Sequence, residues 1–179
     1  SDMLFLAKTE RGVDLPNKEL FSAAEDAQAL LEFYEAVADE QGVQLSLRGD
    51  GHISGDRLMF RRALSNLLSN ALQHTPARGT VQIEISETVE GTLVTVENSG
   101  DAIDPRALPR LFDRFYRADP ARTHPASEGA GLGLPITRAI VQAHGGTVDA
   151  HSQDGLTVFR MLFPMPRVRK GGVATARLI

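Results

Sequence analysis

Asn66-Leu67-Leu68-Ser69-Asn70-Ala71-Leu72-Gln73-His74-Thr75, the stretch NLLSNALQHT, joins a strong helix to two residues that helices do not favour. Leu64, Leu67, Leu68, Ala71 and Leu72 recur at helical spacing and define a face to be buried. Asparagine is a mediocre helix former, so a pair inside such a run needs a reason. At i and i+4 the two amides leave the helix on one side, beside the apolar face, and Arg62 and His74 continue the row. Two neutral carbonyl oxygens on a rigid helix can hold a hard Mg²⁺ that keeps most of its charge for a phosphate. For two asparagines alone, a solvated polar face is the commoner explanation.

Working upstream, Asp56 can cap this helix, and Val43, Leu45 and Leu47 alternate as a half-buried strand does. Ser22 and Glu25 form a capping box opening a helix through Ala29, Leu30, Phe33 and Val37, stopped at Gly42. Arg11 to Lys18, with Gly12, Pro16 and Asn17, reads as a connector, and SDMLFLAK before it as the last turns of another helix. Downstream, Thr75 to Gly79 ends the asparagine helix. Val81-Ile83-Ile85 and Leu93 to Val96 make a β-hairpin turning near Gly91. Asp104-Pro105 reads as N-cap and first helical residue, predicting a helix towards Tyr116. Arg117 to Gly129 collects Pro, Ser, Thr, Arg and His without periodicity and reads as a mobile loop. A helix from about Leu134 to His144, ended by Gly145-Gly146, precedes strands around Thr147–His151 and Thr157–Phe163. Separated pairs of helices and antiparallel strands argue for an α+β fold, a two-layer α/β sandwich.

Composition narrows the function. The 179 residues suit one domain, and a net charge of −4 gives no reason to expect nucleic acid. Without cysteine, disulfides, thiolate metal sites and cysteine nucleophiles are all excluded. No apolar run reaches the length of a membrane span, and no signal pattern opens the chain.

Three further motifs carry chemistry. Glu128-Gly129-Ala130-Gly131-Leu132-Gly133-Leu134 runs straight into a helix, so backbone N–H groups and the helix dipole can meet a phosphate. A dinucleotide fingerprint would need a hydrophobic strand before the glycines, and RADPARTHPASE is none. Val96 to Ile103, VENSGDAI, carries a strand into a polar turn where a side-chain oxygen beside a glycine can accept from an adenine amino group. Leu111 to Arg117, LFDRFYR, interleaves aromatics for packing with arginines able to reach phosphate. Alone, a Gly-rich hinge, an Asx-turn and core aromatics explain them as well.

In this order and spacing, ending on Gly155-Leu156-Thr157-Val158-Phe159, the motifs resemble the catalytic ATP-binding domain of sensor histidine kinases. Those belong to the GHKL ATPase superfamily shared with gyrase and MutL. The resemblance spans residues 18 to 164, and SNLLSNALQHTP, VENSG and LPRLFDRFYRADPAR are similar to the heavy-metal (copper/silver) sensor kinases. It implies the GHKL ATP-binding fold, with a mixed, mostly antiparallel sheet and helices on one face. The expected organisation is 1–10, the end of a dimerisation helix; 11–17, linker; 18–166, ATP-binding domain; and 167–179, flexible tail.

Carried over by motif, Asn66 and Asn70 would hold Mg²⁺ and the phosphates of ATP, His74 would lie beside adenine, and Asn98 would replace the usual adenine-reading aspartate. Gly100 lets the base approach, with Ile103 in the same turn. Phe112 and Phe115 would anchor a lid. Arg114 or Arg117 would touch phosphate, Gly129, Gly131, Leu132, Gly133 and Leu134 would frame the triphosphate, and Thr157 would support the adenine end. Four positions depart from the pattern: Asn98 is an amide, Ala102 stands for a second glycine, Leu156 for a glycine, and Gln73 for a lysine or arginine. They point to modest nucleotide affinity.

None of His52, His74, His124, His144 and His151 has the context of a phosphoacceptor, so no catalytic histidine is expected within this sequence. The implied partners are the protein's own dimerisation domain, in a homodimer, and a response regulator, with no nucleic acid and no membrane contact by this segment. The implied location is the cytoplasmic side of a bacterial inner-membrane protein. The rival readings are a degenerate GHKL interaction module and another GHKL ATPase or serine kinase.

Overall fold

The computed structural model describes residues 2–10, 15–116 and 133–166. The chain runs α1 (Asp2–Glu10), β1 (Lys18–Ser22), α2 (Ala23–Gln41), β2 (Gln44–Gly49), β3 (His52–Asp56), α3 (Arg57–His74), β4 (Thr80–Thr88), β5 (Gly91–Ser99), a 3₁₀ turn (Leu108–Arg110), α4 (Gly133–Ala143), β6 (Thr147–Gln153) and β7 (Leu156–Phe163). Five strands form one sheet in the order β2-β4-β5-β7-β6, while β1 and β3 pair in a separate antiparallel ribbon. Only β2 and β4 run parallel within the sheet. The α+β sandwich with a mixed, mostly antiparallel sheet is therefore the observed architecture.

Alternation along the strands decides which face is covered. Val81, Ile83 and Ile85 on β4, Val94 and Val96 on β5, and Phe159, Met161 and Phe163 on β7 are all buried. Their neighbours Gln82, Thr95 and Arg160 are only half-buried. The helices lie over the first set: Leu64, Leu67, Leu68 and Ala71 of α3 are wholly buried, with Ile136, Ile140 and Val141 of α4 beside them. Phe60 anchors the layer, 5.5 Å from Phe21 and 5.5 Å edge-on to Phe163. Such a ring contributes on the order of 2–3 kcal/mol by burial.

Local signals set the helix ends. The Ser22 hydroxyl accepts from the Glu25 N–H at 3.3 Å, and Gly42, at φ 71°, closes α2 in the left-handed conformation that glycine tolerates. The Asp56 carboxylate accepts from the Met59 N–H at 3.0 Å to cap α3. A second carboxylate ties these helices together. Asp26, with no exposed surface, receives Arg57 Nε at 2.9 Å and Arg61 Nη2 at 2.8 Å.

Two expectations fail. Lys18 to Ser22, read at its start as connector, is a strand held by β3. The helix predicted from Asp104 is instead a series of turns with one 3₁₀ turn. Proline at 109 has no N–H to give the carbonyl of residue 105, and its ring collides with that carbonyl in a helix. The segment closes through shorter bonds, Ala107 N–H to Asp104 O at 2.8 Å and Arg110 N–H to Ala107 O at 2.9 Å.

Candidate functional site

Asn66 and Asn70 emerge half-buried along one edge of α3, beside the buried leucines, as their spacing requires. Asn66 Nδ2 donates to the carbonyl of Gly133 at 3.1 Å. The same carbonyl accepts from Thr137 Oγ1 at 3.0 Å, one helical turn on. The last glycine of the Gly-rich motif, at the N-terminus of α4, is thereby fixed against the asparagine helix. An N-terminus carries unsatisfied N–H groups and a favourable dipole for anions. Leu134 next to it packs against the core.

The amide orientation sorts the donor set. With its nitrogen bound to Gly133, Asn66 presents Oδ1 on its other side, and amide oxygens are hard donors that suit Mg²⁺. Among the described residues no group of three His, Cys, Asp or Glu could hold a metal. A cation here would be held by Asn66, Asn70 and oxygens of the bound ligand. The residues present fit that arrangement, because Mg²⁺ keeps waters and phosphate oxygens rather than requiring an all-protein cage.

A second group forms at the end of the sheet. Asn98, 4% exposed, sits near the end of β5 facing the helices, in register with Thr157 on β7. Its Nδ2 donates to the Ser99 carbonyl at 3.2 Å, which turns Oδ1 the other way. Thr157, also 4% exposed, shares a 2.9 Å hydroxyl–hydroxyl bond with Ser152, whose Oγ accepts the Ile103 N–H at 2.8 Å. Gly100 bends the chain here at φ 147°, with its N–H on the Gly155 carbonyl at 3.0 Å. A Cβ at Gly100 would stand a tight 3.0 Å from the His74 carbonyl oxygen and in a backbone conformation that side chains rarely adopt, so glycine suits the meeting of the α3 C-terminus and the β5 exit. Asn98, Gly100, Ile103 and Thr157 are thus brought together, with the exposed His74 on their border.

The LFDRFYR motif divides. Phe112 is buried, 6.1 Å edge-on to Phe159, so it belongs to the core. Phe115 is 58% exposed at a left-handed φ of 61°. Tyr116 lies under the Arg110 guanidinium at 4.4 Å, and Arg114 is exposed. Arg117, Gly129, Gly131, Leu132 and the loop holding His124 lie outside the described residues, as does the tail from Arg167. Sequence reasoning missed Ser152. A lone serine on an edge strand gives no signal until the register sets it beside Thr157.

Residues 55–167 match the family described as Histidine kinase-, DNA gyrase B-, and HSP90-like ATPase. Sensor histidine kinase CusS of Escherichia coli (strain K12) is 46% identical over 165 residues, covering 92% of this chain and 34% of that protein. The chain thus spans about a third of the length of the curated relatives it matches. Full-length ShkA, solved in complex with AMPPNP, superposes with a TM-score of 0.75 at 24% identity, over 92% of this chain and 35% of that one. Histidine kinase ThkA, solved with the response regulator protein TrrA, gives 0.70 at 22% identity, over 83% of this chain and 42% of that one. These two structures share the fold. With the profile running from the capped start of the asparagine helix to the end of the last strand, the chain belongs to the family of histidine kinase-, DNA gyrase B- and HSP90-like ATPases.

Proposed function

We propose that this domain binds Mg·ATP and donates the γ-phosphate to a histidine on the protein's own dimerisation domain, for relay to an aspartate of a response regulator. The observation that carries the reading is the bond from Asn66 to the Gly133 carbonyl, which sets the amide row of α3 against the N-terminus of α4. Asn66 and Asn70 would hold Mg²⁺, which on binding neutralises charge on the phosphates. Gly133, together with Gly129, Gly131 and Leu132, would present backbone N–H groups to the same phosphates, and Arg114 or Arg117 would add a charged contact. Asn98 Oδ1 would accept from the adenine amino group, with Gly100 leaving room for the ring and Thr157 and His74 at its rim. Positioning and charge neutralisation are the main contributions a protein makes to phosphoryl transfer. AMPPNP in ShkA and TrrA beside ThkA support the choice of nucleotide and partner. In this reading the domain lies on the cytoplasmic side of an inner-membrane sensor that works as a homodimer.

Radiolabelled ATP tests it. The domain alone should take up no label, while a separately supplied dimerisation hairpin of the same protein should gain acid-labile label. The reaction should be slow and concentration-dependent, because the covalent link that raises effective concentration is missing. Asn70→Ala should abolish it while leaving the fold intact, alanine being the better helix former. Acid-stable label on the domain itself would overturn the reading in favour of a serine kinase, and bound ATP without transfer would favour a degenerate module.

A further inference from the structure

The hydroxyl pair at the end of the sheet has a place that no motif assigns. Ser152 Oγ, on β6, accepts the Ile103 N–H at 2.8 Å and lies 2.9 Å from Thr157 Oγ1. A serine hydroxyl has one proton to give. Either hydroxyl of the pair can be the donor, since Ser152 Oγ keeps a second lone pair after receiving the Ile103 N–H; in one of the two arrangements Ser152 donates and Thr157 accepts. Thr157 then has its own proton to direct elsewhere, and it stands in register with Asn98, whose Nδ2 is committed to the Ser99 carbonyl. In that arrangement the two side chains offer an acceptor, Asn98 Oδ1, beside a donor, the Thr157 hydroxyl. Adenine carries the matching pair on one edge, the amino group as donor and N1 as acceptor.

We infer that Ser152 is a positioning residue for the nucleotide base: by donating to Thr157 it turns the threonine hydroxyl outward as the donor that meets purine N1. The inference rests on the Mg·ATP reading of this site. It also makes Ser152 matter more here than beside a carboxylate, because Asn98 contributes one neutral acceptor and the base needs a second point of contact. Ser152 holds the Ile103 end of the β5 exit as well, so a purely structural role is the alternative to be separated.

The separation uses one atom of the ligand. Affinities of ATP and 1-deaza-ATP, which lacks the N1 acceptor, are measured by calorimetry with Mg²⁺ for the domain and for Ser152→Ala and Ser152→Thr. The unaltered domain should prefer ATP by about tenfold, the worth of one hydrogen bond. Ser152→Ala should bring the preference close to one by weakening ATP alone, and Ser152→Thr, which keeps the hydroxyl, should restore it. An unchanged preference in Ser152→Ala, with both ligands weakened alike, would overturn the inference in favour of a structural serine. Equal binding of both ligands by the unaltered domain would overturn it too, while leaving Mg·ATP binding intact. Failure of either ligand to bind the unaltered domain would instead refute the ATP reading itself.

Discussion

Gly55→Ala should destabilise the domain strongly, and only while His144 is present. A Cβ at Gly55 would fall 2.2 Å from His144 Cδ2 and 2.4 Å from Nε2. The ring has little freedom to retreat. Nδ1 is 2.7 Å from the Ile140 carbonyl, Nε2 accepts the Asp56 N–H at 3.1 Å, and the ring stands 5.4 Å edge-on to Phe163. Displacing it strands the N–H of the residue that caps α3, at about 1–3 kcal/mol, and overpacking adds about 1–3 kcal/mol. Against this, alanine in place of a strand glycine gains about 0.5–1 kcal/mol. The net loss should be about 2–4 kcal/mol, a fall in Tm of roughly 5–15 °C at about 2–4 °C per kcal/mol. His144→Ala alone should lose a comparable amount, but adding Gly55→Ala to it should be neutral or slightly stabilising, since the obstacle has gone. Chemical denaturation of the four proteins completes the cycle. Additive losses would refute the reasoning and place the cost of Gly55→Ala in the strand itself.

The same histidine gives a pH prediction. Burial holds His144 below the usual imidazole range, against the opposing pull of the Ile140 carbonyl and the Asp56 charge. Its neutral form is the one the fold stabilises. That contribution is complete above about pH 6.5, the ordinary value, and is lost as pH falls from there through the depressed folded value. The gap between denaturation midpoints of the parent and His144→Ala should narrow as pH falls below about 6.5; a constant gap would contradict it. Asp26→Ala should cost about 2–3 kcal/mol, less than a fully buried pair, because Arg57 and Arg61 keep 34% and 43% of their side-chain surface in water. Thermal melts showing a loss under about 1 kcal/mol would mean the arginines find equivalent partners.

What could be read without coordinates was what neighbouring residues determine. The caps at Ser22 and Asp56, the stop at Gly42 and the alternation of β4, β5 and β7 are local, and each stands where it was expected. β1 was lost because KELFS places only Phe21 in the core and leaves Leu20 64% exposed, so no alternating pattern marks it. The Asp104 helix was overread from a good start signal, with Pro109 given too little weight. The parallel pairing of Gln44–Gly49 with Thr80–Ile85 depends on a register that no local signal records. At the site, the asparagine row and the VENSG turn were legible as residue types, but their meeting points, Gly133 under Asn66 and Ser152 under Thr157, exist only after folding.

The pairing of β5 with β7 has a consequence for how this domain can vary. Every residue from 117 to 132 lies inside the long loop that this pairing closes, between Tyr116, stacked under Arg110, and Gly133, gripped by Asn66 and Thr137. Loop-closure entropy grows only logarithmically, by about 0.6 kcal/mol for each doubling of length. The sheet is therefore almost indifferent to insertions or deletions between those two anchors. Evolution could lengthen, shorten or rewrite that stretch with scarcely any effect on the melting temperature.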